Sequence, residues 1–223
     1  MISKLPRWVE YGAFVLAFVA GTVNAVGFLG VKHQAISHLS GTVTLVGTGI
    51  ITSNGNDVFH LAGILLSFLA GASLSGALLP GTSLKLGRHY DSLLAIEGIM
   101  LLVSIYLLKN SSLLGHYTAS AACGIQNALA TSYSGAIVRT THMTGIFTDL
   151  GLMIGAKIRG DQFDRRKAIL LLLIIIGFIA GGSLGAYLYA WMQFFALAVP
   201  AAICIVLATL YRVYAVKEPY GVS

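Results

Sequence analysis

Ser37-His38-Leu39-Ser40-Gly41-Thr42-Val43-Thr44 returns in the second half of the chain as Thr141-His142-Met143-Thr144-Gly145-Ile146-Phe147-Thr148. Both copies are polar islands in an apolar sequence. The match continues on either side of them. Gly21-Thr22-Val23-Asn24-Ala25 returns as Gly124-Ile125-Gln126-Asn127-Ala128, and Phe68-Leu69-Ala70-Gly71-Ala72-Ser73-Leu74 returns as Phe178-Ile179-Ala180-Gly181-Gly182-Ser183-Leu184. Any one match could arise by chance between apolar segments. Three in the same order, two of them carrying polar residues, indicate duplication, with units at 1–112 and 113–223.

The surroundings of these islands identify the solvent. Of 223 residues 57% are hydrophobic and only 10% are charged, against about 25% charged in soluble domains. The mean hydropathy is +0.83, and runs such as 168–191 reach the ~20 residues that span a hydrocarbon core. A transmembrane barrel would show ~10-residue segments of alternating polarity, whereas these runs are continuous. The expected fold class is therefore an all-α integral membrane protein in a lipid bilayer. The net charge of +6 is spread between apolar runs and forms no stripe for a phosphate backbone, so a nucleic-acid partner is not expected. Cys123 and Cys204 lie inside apolar runs and form neither a disulfide framework nor a metal spacing.

Six long apolar segments are expected as spans: 9–30, 58–79, 92–108, 115–134, 168–191 and 194–214. The shorter polar segments 36–52 and 140–156 carry the islands. If both crossed the membrane, ten Lys and Arg would face the cytoplasm and four the outside; if both are re-entrant, twelve face in and only Lys32 and Lys109 face out. The second count fits the positive-inside rule better. Ser37, His38, Ser40, Thr42, Thr44 and Thr48 would also be costly against lipid but acceptable beside protein or a wet cavity. Six transmembrane helices plus two re-entrant elements follow, with both termini cytoplasmic. Lys4 and Arg7 precede an apolar stretch without a cleavage site, so that stretch reads as a retained first span rather than a signal peptide. Each unit then holds three crossings, and the second copy is inverted relative to the first. Inverted repeats are a recurring plan of transporters, with the substrate site near the midplane where broken helices end.

The run Arg139-Thr140-Thr141-His142-Met143-Thr144-Gly145, followed by Thr148-Asp149 and preceded by Gly124-x-Gln126-Asn127-Ala128, resembles the YoaK family of bacterial membrane proteins, as does the Ser-His-x-Ser-Gly copy. The resemblance covers most of the chain and implies a bacterial inner-membrane protein of about six spans, without a settled biochemical activity. Asn24 departs from it, since family members commonly have Asp there. Leu39-Ser40-Gly41-Thr42 also departs, replacing Met-Thr-Gly-Asn.

His38 and His142 are equivalent, each just before a Ser/Thr-Gly pair (Ser40-Gly41 and Thr144-Gly145). Ser and Thr favour helix N-caps, so each element is expected to enter extended, cap near the His and leave as a short helix. Two helix N-termini meeting near the midplane would present free N–H groups to an anion or a polar solute. The alternative is that these side chains, with Thr148, only satisfy backbone groups at the helix break. Asn24 and Asn127 could bind a solute, or a freed carbonyl where a helix is interrupted. Asp149 follows His142 by two turns on one face and could relay a proton with it, pair with Arg139 or cap a neighbouring helix. Glu97, amid the span 92–108, could carry a coupling proton or be a protonated structural group. The small-residue ladders 67, 71, 75 and 177, 181, 185 read as helix packing. His60, His89, His116 and Glu10 read as interfacial, and Trp8 and Trp191 as headgroup anchors.

No nucleotide, hydrolase or metalloprotease motif is present, and no cofactor or metal is expected. The leading expectation is a small secondary transporter, not an enzyme, for a small polar or anionic solute. Asn24, His38, Ser40, Gly41, Asn127, His142, Thr144, Gly145 and Thr148 would bind the solute, and Glu97 and Asp149 would couple protons. A re-entrant-loop channel, a membrane-embedded enzyme using His142 and Asp149, and a non-transporting scaffold are the rival expectations. A homo-oligomer is compatible with each.

Overall fold

A computed structural model describes residues 8–30, 36–52, 55–79, 89–134 and 138–217. Lys4, Arg7, Lys32, Lys85 and Arg88, which entered the charge count, lie outside these residues, as do both termini. The described residues form eight α-helices and no strand. They are α1 (Trp8–Leu29), α2 (Leu39–Thr52), α3 (Gly55–Leu78), α4 (Tyr90–Lys109), α5 (Leu114–Tyr133), α6 (Met143–Ile158), α7 (Arg165–Met192) and α8 (Ala198–Lys217). The six long apolar segments became α1, α3, α4, α5, α7 and α8, and the two polar islands open α2 and α6.

Four stretches are long and apolar enough to cross a membrane: Trp8–Leu29, Asp57–Leu78, Tyr90–Lys109 and Arg165–Val213. The last contains α7 and most of α8, which part at a short 3-10 segment, Gln193–Leu197, whose first residue takes φ 53°. α5 was expected as a span on the same footing. It has the length, but Thr118, Ser120, Gln126, Asn127 and Thr131 dilute its apolarity. Large apolar side chains point outward from the bundle, Ile51, Phe59 and Ile158 being 84%, 78% and 82% exposed. So much outward apolar surface requires a hydrocarbon solvent, and the chain is a helical membrane protein.

Glycine decides which helices touch. α1 packs along α7, and α3 along α5. A Cβ placed on Gly181 would overlap the Phe18 carbonyl, and one on Gly71 would overlap the Ala121 carbonyl. Gly21 lies equally close to the Phe178 carbonyl, and Gly124 to that of Phe68. These are the same repeat positions used twice: the first helix of each sequence unit packs on the third helix of the other. Hydroxyls seal the contacts. Thr22 Oγ1 donates to the Gly181 carbonyl at 3.0 Å, and Ser75 Oγ donates to that of Ile125 at 3.1 Å. The small-residue ladders are thus packing surfaces, close enough for backbones to meet.

Both pairs are parallel. Gly177, Gly181 and Gly185 climb α7 beside Phe14, Phe18 and Thr22 of α1. α4 turns back into α5, setting Ser104 against Thr118 at 2.7 Å, and lies antiparallel to α8, with Gly98 beside Ala201 and Asp91 beside Arg212. Val9, Tyr90, Leu129 and Ala208 share one core cluster, so the starts of α1 and α4 meet the ends of α5 and α8. α1, α4 and α7 therefore run one way, and α3, α5 and α8 the other. α2 packs on α3 and α6 on α7, each at the periphery. Along α2 the hydroxyls of Thr44, Thr48 and Thr52 donate to carbonyls four residues back, which lets an exposed face carry polar residues without orphan donors.

Candidate functional site

The polar islands occupy helix breaks held by an amide. Ser37 is buried and precedes α2; its N–H and its hydroxyl both donate to Asn24 Oδ1 of α1, at 3.2 and 3.1 Å. In the second unit Thr141 Oγ1 donates to Asn127 Oδ1 of α5 at 3.3 Å. Both amide oxygens thus accept from the residue before the break. Ser120 adds a second tie in the first unit, its hydroxyl donating to the Ile64 carbonyl at 2.9 Å with the Ile36 carbonyl at 3.5 Å. Asn24→Ala leaves a buried N–H without its acceptor, and should lower stability by about 1–3 kcal/mol, measured as a fall in melting temperature in detergent.

The caps differ from expectation. The N-cap of α6 is His142 itself, and its side chain makes no capping hydrogen bond. Ser40 and Thr144 fall inside the first turn because the helices start immediately after the histidines. Ser40 Oγ lies 3.2 Å from His38 Nε2, and Thr144 offers its carbonyl to Thr148 Oγ1 at 2.9 Å. Each imidazole folds over the glycine that follows it. A Cβ on Gly41 would come within 2.8 Å of His38 Nδ1, and one on Gly145 would overlap the His142 ring. Glycine at 41 and 145 is the space for the ring. His38 and His142 are exposed on the flank of the bundle. α2 and α6 do not pack against each other, and among the described residues no hydrogen bond joins the two motifs.

Asp149 pairs with Lys167 of α7, Oδ2 to Nζ 3.2 Å, rather than with Arg139. The partner changes because α6 lies along α7, whose first turn is Arg165-Arg166-Lys167. Both side chains are partly exposed, and no hydrogen bond links Asp149 to His142 among the described residues. Glu97 is different. It is 1% exposed and makes no ion pair among the described residues. Cys204 of α8 is the side chain that acts on its carboxyl, and Oε2 has no hydrogen-bond partner among the described residues. Two further buried oxygens share that condition: Oε1 of Gln126 and Oγ1 of Thr140. Gln126 holds α1 through its Nε2, which donates to the Leu16 carbonyl at 2.7 Å. It belongs with the site candidates, and its place beside Asn127 in an apolar run was the available signal.

The histidines expected at the interface divide. His60 and His116 are each 3% exposed, their rings 5.3 Å apart edge to face, and His60 Nδ1 lies 3.0 Å from Tyr117 Oη. Burial comes from the α3–α5 contact, which a single helix pattern does not reveal. Glu10 pairs with Arg166 at 2.9 Å, tying the starts of α1 and α7. Among the described residues no group of three His, Cys, Asp or Glu could hold a metal ion.

No curated protein and no solved structure matches the chain. A family model described as "Protein of unknown function (DUF1275)" matches residues 12–210, a range that takes in both islands, both asparagines and Glu97. The chain belongs to this family, which also contains the YoaK-type proteins that its motifs resemble.

Proposed function

We propose that this protein is a small proton-coupled secondary transporter of a small polar or anionic solute, not an enzyme, in a bacterial inner membrane. Its two units, 1–112 and 113–223, are inverted repeats, each of three spans and one re-entrant helix, with both termini cytoplasmic. The observation that carries the reading is the duplicated break: Asn24 and Asn127 each hold the residue before a His-led short helix. The helix directions support the topology. α1 ends where α3 begins, so α2 leaves and returns at one end; α5 ends and α7 begins at the opposite end, so α6 does the same there.

In this reading His38, Ser40 and Gly41 with Asn24, and His142, Thr144, Gly145 and Thr148 with Asn127, form two half-sites that face opposite entrances. The N-terminal ends of α2 and α6 favour negative or polar atoms. Glu97 carries the proton, because a buried carboxyl with an unpartnered oxygen gains a hydrogen-bond donor when protonated and strains its surroundings when ionised. Asp149, held by Lys167, is the second coupling group on the flank of α6.

The test is uptake into liposomes containing the purified protein, with an imposed pH gradient and a panel of small carboxylates, inorganic anions and neutral polar solutes. The expected result is saturable accumulation of one class that collapses when the pH gradient is dissipated. Unsaturated flux indifferent to the gradient would establish the channel instead. Chemical turnover in detergent, where no second compartment exists, would establish the enzyme.

A further inference from the structure

Among the buried oxygens without a hydrogen-bond partner in the described residues, two come to one level of the bundle: Glu97 Oε2 and Gln126 Oε1. α4 and α5 run antiparallel, with Gly115 against Leu108 and Ser104 Oγ 2.7 Å from Thr118 Oγ1. Seven residues are two turns, so Glu97 lies on the face of α4 that carries Ser104, opposite Ile125 and Gln126 of α5. Leu94 and Leu129, one turn further on, share a core cluster and continue the same register. Cys123, one turn before Gln126, is near enough for the Glu97 charge to act on it.

Both residues are 1% exposed, so bulk water satisfies neither oxygen. The counterpart of Gln126 in the first unit is Val23, equally buried, so burial at this point of the fold does not itself call for an amide. The far end of the amide fixes its orientation. Nε2 donates to the Leu16 carbonyl of α1 at 2.7 Å, which leaves Oε1 as the acceptor on the other side. Two acceptors at one level repel each other, but a proton on Glu97 makes one of them a donor, and a single O–H···O bond then satisfies both. The titratable side chains coupled to Glu97 are Cys204 of α8 and Cys123 of α5. Neither α1 around Leu16 nor the Gln193–Leu197 segment carries a titratable residue.

We propose that Gln126 is the positioning residue for the Glu97 proton: Glu97 Oε2–H donates to Gln126 Oε1 while Nε2 holds α1, and loss of the proton turns the amide over and releases α1. The carboxylate then accepts from Nε2, and the Leu16 carbonyl loses that donor. Asn24, which holds the first break, lies about two turns beyond Leu16 on α1, and Asn127, which holds the second, follows Gln126 directly. One amide thus joins the proton to both breaks. This role rests on Glu97 carrying the coupled proton, and infrared spectroscopy distinguishes failure of the one from failure of the other.

The full chain in dodecyl maltoside, a detergent without carbonyl groups, should show a carboxylic C=O band that titrates with pH and is missing in Glu97→Gln. Gln126→Met, of similar length and without an amide, should move that band to higher frequency, because the acid loses its acceptor. Absence of the band in the parent would remove Glu97 as proton carrier and this role with it. A band that stays in place in folded Gln126→Met would overturn the role of Gln126 alone. So would a band that disappears when sodium replaces potassium at fixed pH, which would put a cation between the two oxygens. Hydrogen exchange on the parent needs no Gln126 variant. Relative to α3 peptides, and corrected for intrinsic pH dependence, α1 peptides should exchange about threefold faster once the band has titrated away, and Glu97→Gln should abolish the change. Equal protection of α1 on both sides of the titration would overturn the release.

Discussion

Gly181→Val is expected to cost about 3 kcal/mol or more, the upper end of overpacking effects, and to convert the purified protein from a single species to aggregate. The reason is what the new side chain meets. A Cβ at Gly181 overlaps the Phe18 carbonyl, which is helix backbone and cannot rotate aside, so α1 and α7 must separate. Separation also breaks the hydrogen bond from Thr22 Oγ1 to the Gly181 carbonyl. Gly71→Val should behave alike, because Ala121 presents its carbonyl in the same way. Gly151→Val on α6, where nothing lies within 4 Å, should stay within about 0.5 kcal/mol of the parent. Thermal denaturation followed by size-exclusion chromatography separates these cases. Restoration of Gly181→Val by Phe18→Ala would show that the clash is with a side chain, and the backbone account would fail.

Glu97→Gln is expected to reduce pH-driven uptake to the level of empty liposomes while changing the stability of the fold by no more than about 1 kcal/mol. Glutamine keeps the size of the side chain and offers an oxygen in the same place, but it cannot release a proton. Two measurements are needed together. A melting temperature near that of the parent shows that the buried position is filled, and uptake over a range of external pH shows whether coupling is gone. If Glu97 were only a protonated structural group, the variant would transport as the parent does with the same pH profile. Cys204→Ala should fall between the two, since it withdraws the thiol and leaves the carboxyl.

The helical class and the membrane solvent were legible in the linear sequence because they depend on composition and local period. So was the role of the ladders at 71, 75, 177, 181 and 185, since small residues four apart on one helix face serve close approach whatever the partner. The partner was not legible. That α1 takes α7 and α3 takes α5 depends on which carbonyls meet Gly21, Gly71, Gly124 and Gly181, and these lie far off in the chain. The Asp149 partner was misplaced for the same reason: Arg139 is near in sequence, but α6 lies along α7 and brings Lys167 instead.

By itself, then, the sequence determined the kind of solvent, the helical class and the recurring Asn and His motifs, all properties of residue type and spacing. Only the tertiary structure decided what each repeated residue does, because equivalent positions receive different neighbours. Gly12 and Gly115 are the plainest case. The tight turn between α4 and α5 holds Gly115 of α5 against Leu108, whereas among the described residues nothing lies within 4 Å of a Cβ at Gly12, its counterpart in α1. A repeat in sequence specifies equal side chains, and chain connectivity makes their surroundings unequal.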